Sequence, residues 1–233
     1  MSVREPEAEP QYNCFETFSQ AVENAAHKFG DRPFITMSDG SGTCTYREYQ
    51  QGVDRLAAGM KVKFDVCPGD VVVCINYNDF RTPFLVGAVA KLGGIVSFIH
   101  YTLTVEQRQQ MIKNITPRFL YTTDEILELD GFREALTDSK LTIIKPEELP
   151  CAYDGDCTID EHHDPERVFV MFPTSGSTGT PKSVMCKQAA FTVGANVYPN
   201  SLKVYVVHVS TIPNHKRPMF EKSSNSLTFF FSL

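Results

Sequence analysis

The sequence holds 233 residues, of which 42% are hydrophobic and 21% charged, with a formal net charge of −6. Such a chain has apolar surface enough for a core, in one large domain or two small ones, and its composition excludes wholesale disorder. The acidic balance and the lack of any basic cluster point away from a nucleic-acid surface.

Taken in chain order, residues 1–11 are acidic and proline-bearing, and read as a disordered N-terminus without the apolar stretch of a signal peptide. Phe18, Ala21, Val22, Ala25, Ala26 and Phe29 recur at helical spacing, and Gly30 follows as a C-terminal cap. A hairpin pattern comes next, extended over 34–37, turning through Asp39-Gly40-Ser41-Gly42 and returning over 43–45. Thr45 and Glu48 form a T-x-x-E capping box that opens a helix burying Tyr49, Val53, Leu56, Ala57 and Met60.

After the turn Pro68-Gly69-Asp70, the β-branched run 71–75 predicts a buried strand. A helix over about 80–92 and a strand over 95–99 follow, and Thr104 with Gln107 makes a second capping box for a helix ending at Ile115. Short strands are expected at 119–121 and 141–144, on either side of an amphipathic segment at 130–136. Strands alternating with helices of this length predict an α/β fold with a parallel sheet covered on both faces. The longest apolar stretch, 84–99, is interrupted by Lys91 and falls short of a membrane span. Lys91 itself is expected to snorkel to the surface. Seven scattered cysteines without a C-x-x-C pair read as reduced intracellular thiols, not as a disulfide framework or zinc site.

An acidic loop over 151–164 leads to the apolar run 168–172, which ends in Thr174-Ser175-Gly176-Ser177-Thr178-Gly179-Thr180-Pro181-Lys182. This composition suits phosphate. Two glycines let backbone N–H groups come close, neighbouring hydroxyls donate hydrogen bonds, and one lysine supplies positive charge. Hydrogen bonds to a charged group contribute roughly 1.5–3 kcal/mol each, so three or four hold a triphosphate tail. A Gly/Ser/Thr-rich linker has similar composition. Placement directly after a buried strand favours a ligand site, because α/β sites form beyond strand C-termini. The segment is no Walker A loop, since Pro181 stands where the second glycine must be, lacking its N–H and with φ fixed.

These nine residues resemble the T-S-G-[ST]-T-G-x-P-K signature of adenylate-forming enzymes, the acyl- and aryl-CoA synthetases, luciferases and peptide-synthetase adenylation domains. Thr45-Tyr46-Arg47-Glu48, Arg55-Leu56-Ala57, Gly69-Asp70-Val71-Val72 and Gly93-Gly94-Ile95-Val96 leading to Leu103-Thr104 resemble that family's N-terminal region in order and spacing. The resemblance covers about 12–202 and implies the incomplete N-terminal domain of the adenylate-forming fold, with parallel sheets flanked by helices. It implies a two-step ligase reaction in which a carboxylate and ATP give an acyl-adenylate, and CoA then displaces AMP to form a thioester. Thr174, Ser175, Gly176, Ser177, Thr178, Gly179 and Lys182 carry over as phosphate-loop residues, with Mg2+ balancing the β- and γ-phosphates. No catalytic residue and no protein metal ligand carries over. Ser183 departs from the family's usual glycine, and Cys186-Lys187-Gln188 occupies the stretch where a histidine is frequent.

Other candidates are weaker. Asp160-Glu161-His162-His163-Asp164 offers metal-ligand types, but adjacent side chains rarely converge on one ion, and a solvated loop is expected. His100 and Tyr101 end a strand and either line a pocket or sit in a plain loop. Residues 203–233 show no family motif, and the family's adenine-binding Y-G-x-T-E, ribose-binding T-G-D, hinge and C-terminal lysine region find no match in the sequence. A Lys-Val junction at 203–204 and the Phe229-Phe230-Phe231-Ser232 run are what a translated intron would encode. The expectation is a truncated ligase relative, inactive alone, in the cytoplasm, with association to a chaperone; full-length relatives are also peroxisomal, but no targeting tripeptide ends this chain. The alternative is a non-catalytic interaction or regulatory protein built on a ligase-like half domain.

Overall fold

In the computed structural model, which describes residues 17–36, 42–77, 80–137, 139–149, 159, 164–174 and 182–197, a threonine opens each of the three longest helices. Thr17 caps α1 (Phe18–Phe29) against Gln20, Thr45 caps α2 (Tyr46–Phe64) against Glu48, and Thr104 caps α4 (Val105–Ile115) against Gln107. All three are reciprocal capping boxes, in which side chain and backbone satisfy two otherwise unpaired N–H groups. The one before α1 is an addition to the two that the sequence shows most plainly. The helix α3 (Thr82–Lys91) starts without a side-chain cap and has a proline in its first turn.

A small antiparallel pair, β1 (Pro33–Thr36) and β2 (Thr43–Thr45), lies beside α2. The main sheet has six strands in the order β6-β5-β3-β4-β7-β8. Its members are β3 (Val71–Cys74), β4 (Ile95–Phe98), β5 (Phe119–Tyr121), β6 (Thr142–Ile144), β7 (Val168–Thr174) and β8 (Lys182–Lys187). Every pairing is parallel except β7 with β8. The α/β expectation holds, and the antiparallel β8 is an addition, over residues to which the sequence reading assigns no element.

Strand alternation sorts the core into two layers. Val72 and Cys74 of β3, Phe119 and Tyr121 of β5, and Val96 and Phe98 of β4 join one buried cluster with residues of α1, α2 and α3. Val73, Ile75, Leu120 and Ile99 join the other, with Met111 and Ile112 of α4 and Phe132. Each fully buried aliphatic or aromatic side chain contributes about 1.5–3 kcal/mol, which is why a run buried on both faces specifies the sheet centre. The segment expected to be amphipathic at 130–136 is built of short pieces: α5 (Asp124–Leu127), a 3-10 turn (Leu129–Gly131) and α6 (Phe132–Ala135), with Asp130 at φ 54° between them.

Two glycines bring α2 and α3 together. A Cβ on Gly52 would stand 2.4 Å from Phe84 Cε1, and one on Gly87 would stand 2.5 Å from Val53 Cγ2. Each helix therefore notches the other, and Tyr49 donates its hydroxyl across the contact to the Pro83 carbonyl at 2.8 Å. In this crowded layer Lys91 does not snorkel. It is 8% exposed and pairs with Glu23 at 3.2 Å and Asp54 at 2.7 Å, because α1 and α2 cover its path to water and supply carboxylates instead.

Candidate functional site

The two ends of the signature segment, Thr174 and Lys182, sit where β7 ends and β8 begins. β7 runs parallel to β4 through Val96↔Val170 and Ser97↔Met171, so it points its C-terminal end to the same sheet edge as the central strands. That edge is where open α/β sheets take ligands. Phe172 of β7 stacks on Phe98 of β4 at 5.8 Å, which ties the strand below the mouth to the core.

Of the seven predicted phosphate-loop residues, the structure describes two and brings them together. Thr174, last in β7, and Lys182, first in β8, are direct cross-strand partners, and the Thr174 hydroxyl donates to the Lys182 carbonyl at 3.1 Å. Both are exposed. Ser175, Gly176, Ser177, Thr178 and Gly179 lie outside the described residues, as do Thr180 and Pro181.

The far end of the hairpin is anchored. Lys187 pairs with Glu166 at 2.7 Å, and that hydrogen bond raises its pKa. The next element, α7 (Gln188–Val197), begins with a buried Gln188 whose side-chain oxygen accepts from the Phe18 N–H at 2.9 Å. Gln188 N–H in turn donates to the Arg167 carbonyl at 3.0 Å. Phe18, Phe169 and Phe191 form an aromatic trio, with ring centroids 5.2 to 5.9 Å apart. Gln188 thus does structural work where the family's histidine is frequent.

The remaining sequence candidates fall elsewhere. His100 and Tyr101 stack on each other at 4.9 Å, and His100 Nδ1 lies 2.6 Å from the Thr102 hydroxyl. Burial lowers the His100 pKa. Asp160, Glu161, His162 and His163 lie outside the described residues. Asp164 accepts from the Glu166 N–H at 3.0 Å. Among the described residues no group of three His, Cys, Asp or Glu side chains is placed to hold a metal ion. Nor, among them, is any helix long and apolar enough to cross a membrane. Cys44, Cys67, Cys74 and Cys186 form no disulfide among the described residues, and burial pushes Cys44 up to about 11.

The sequence profile of the AMP-binding enzyme family matches residues 22–213, running past residue 202, where the motif resemblance stops. The chain belongs to the AMP-binding enzyme family. Among its relatives is an indoleacetate–CoA ligase of Aromatoleum aromaticum, 26% identical over 155 residues, or 63% of this chain and 30% of that protein. Another is the nonribosomal peptide synthetase ftmPS of Neosartorya fischeri, 23% identical over 79% of this chain and 8% of the synthetase. The chain thus spans less than a third of the length of these relatives.

Among solved structures, it is similar to the o-succinylbenzoate CoA synthetase of Bacillus subtilis bound to an acyl-adenylate intermediate. The TM-score is 0.68 at 18% identity, covering 82% of this chain and 47% of that one. It is also similar to the N-terminal subdomain of NpsA from Klebsiella oxytoca, with a TM-score of 0.62 at 17% identity, covering 74% and 41%. These likenesses show the fold, a mixed α/β architecture matching the N-terminal domain of adenylate-forming enzymes.

Two features escaped the sequence reading. One is β8, whose only signal is the K-S-V-M-C-K run flanked by lysines. The other is a cleft whose lining residues come from widely separated segments of the chain.

Proposed function

We propose that the β7–β8 mouth binds the β- and γ-phosphates of ATP in a carboxylate–CoA ligase reaction. The residues are Thr174, Ser175, Gly176, Ser177, Thr178, Gly179 and Lys182. On this reading a carboxylate oxygen attacks the α-phosphorus of ATP, pyrophosphate leaves, and the CoA thiol then displaces AMP from the acyl-adenylate. Mg2+ supplies charge neutralisation on the phosphate oxygens. The hairpin offers hydroxyls and an ammonium but no carboxylate, so the ion is held through the phosphates and not by a protein cage.

The observation that carries the reading is the Thr174–Lys182 pairing, which makes a hydroxyl-bearing and an ammonium-bearing residue cross-strand neighbours at the ligand edge of the sheet. Family membership supports an adenine nucleotide as the ligand and a small-molecule carboxylate as its partner. The sequence holds no match for the family's adenine- and ribose-binding motifs, which favours weak MgATP binding and no turnover by these residues taken alone. The reading includes a cytoplasmic site of action and a folding chaperone as a partner.

Calorimetry with MgATP tests it. Lys182→Ala and Gly176→Val are expected to weaken the binding, and no carboxylic acid is expected to release pyrophosphate. Tight binding that both substitutions leave unchanged would place the nucleotide elsewhere; turnover at the rate of an intact ligase would overturn the inactivity.

A second reading, an interaction module built on the ligase-like half, draws on β8. Among the described residues β8 ends the sheet, and its Val184 and Met185 are 49% and 64% exposed, an apolar pair on an edge strand. A binding partner recovered with the wild-type chain and lost with Met185→Lys would favour it.

A further inference from the structure

A cleft of about 480 Å3 opens between α2, the start of α3, the end of β5 and the 3-10 turn at Pro146–Glu148. Its size lies within the range of small-molecule sites, about 300–1,000 Å3. It is separate from the hairpin. Its wall takes in Tyr121 of β5 and no residue of β7 or β8, and β3 and β4 lie between the two places in the sheet.

The lining combines two kinds of surface. Leu56, Phe80 and Phe84 give apolar and aromatic walls, with the two phenyl rings 5.5 Å apart and tilted by 51°. Glu48, Arg55 and Arg81 give the charge, two guanidiniums against one carboxylate. The Glu48 carboxylate is already committed to the cap of α2, accepting from the Thr45 N–H at 2.8 Å and the Thr45 hydroxyl at 3.0 Å. Those hydrogen bonds lower its pKa, so it stays ionised and occupied. Arg55 has no ion pair among the described residues. Arg55 therefore brings to the cleft a guanidinium without a carboxylate partner among the described residues.

We propose that this cleft binds an aromatic monocarboxylate, its ring between Leu56, Phe80 and Phe84 and its carboxylate on Arg55, as a site distinct from the hairpin. Tilted aromatic rings favour an inserted ring over an alkyl chain, because edge-to-face and offset contacts add to the burial of area. A guanidinium fork pairs with a planar carboxylate through two parallel N–H···O bonds. A neutral isostere keeps the ring contacts and loses the charge-assisted bonds, so its affinity falls by about tenfold or more.

The intrinsic fluorescence of 2-naphthoate allows a direct titration of the full chain, with 2-naphthamide and decanoate as competitors. The expected result is saturable binding of 2-naphthoate, with the amide and decanoate each about tenfold weaker. Arg55→Gln, a change at an exposed position, is expected to lower naphthoate affinity by about tenfold with an unchanged melting temperature. Gly52→Ala is a second variant, because its Cβ would displace the Phe84 ring that walls the cleft. Saturating MgATP is expected to leave naphthoate binding unchanged, so a failed nucleotide site and a failed cleft are told apart. The proposal is overturned by equal binding of acid and amide, preference for decanoate, an indifferent Arg55→Gln chain, displacement by MgATP, or no saturation at millimolar naphthoate.

Discussion

The two helical layers each bury one cation and treat it in opposite ways. In the layer of α1, α2 and α3, Lys91 meets two carboxylates, and Gln50 donates to the same Asp54. In the layer of α4, α5 and α6, Arg108 is fully buried and stacked on Phe132 at 4.4 Å, and among the described residues its one ion pair is with the exposed Asp130 at 3.7 Å. Among the described residues none of its three guanidinium nitrogens finds a hydrogen-bond partner, and burial lowers its pKa. A buried cation is stabilised by partners that reach it, and α1 and α2 supply two from neighbouring helices. The second layer is made of short turns and supplies one, from a residue in a left-handed kink. Hence the first layer is specified by charge as well as shape, and the second by shape almost alone.

Asp54→Ala should break this contrast most strongly, costing up to about 3 kcal/mol by leaving Lys91 short of a partner in a site of little water. Chemical denaturation of Asp54→Ala, with and without Lys91→Met, measures it, and the double variant should recover most of the loss. If the single change costs nothing, Lys91 is not held by this pair.

Gly87→Ala probes the shape of the same layer. The new methyl meets Val53 and the Tyr49 hydroxyl, and overpacking of this kind costs about 1–3 kcal/mol, read as a lower melting temperature.

Arg108→Met should act in the other direction, raising stability by about 1 kcal/mol as an apolar side chain of similar length replaces an unsatisfied one. A loss instead would show that stacking on Phe132 outweighs the missing hydrogen bonds.

The smallest effect belongs to Asp124, whose pKa is lowered by hydrogen bonds from Lys145 at 2.7 Å and Arg133 at 2.6 Å. Its folded pKa lies below the unfolded value of about 3.9, so its contribution is present above that pH and lost as pH falls through the folded value. Asp124→Asn should therefore lower the melting temperature slightly at neutral pH, with the difference vanishing in acid.

What the sequence made legible follows from the range of the signals. The capping boxes at Thr45 and Thr104 span three residues each, and the β-branched run beginning at Val71 is continuous, so both are visible locally. Lys91 was misread because its partners come from α1 and α2, which no local pattern reveals. The candidate site divides in the same way. Its residues stand in one contiguous motif, but their frame depends on an antiparallel return across the 175–181 connection, longer than the short hairpin loops that sequence rules recognise. The cleft draws on segments from Thr43 to Leu149 and has no local signature at all.

The Thr174–Lys182 pair has a consequence for how freely this protein can change. Because the ends of the connecting segment are already held as strand neighbours, the entropy of closing that loop is met by the sheet and not by the loop's own sequence. On the proposed phosphate-binding reading, substitutions there would change ligand affinity while the β7–β8 pairing and the core beneath keep their stability.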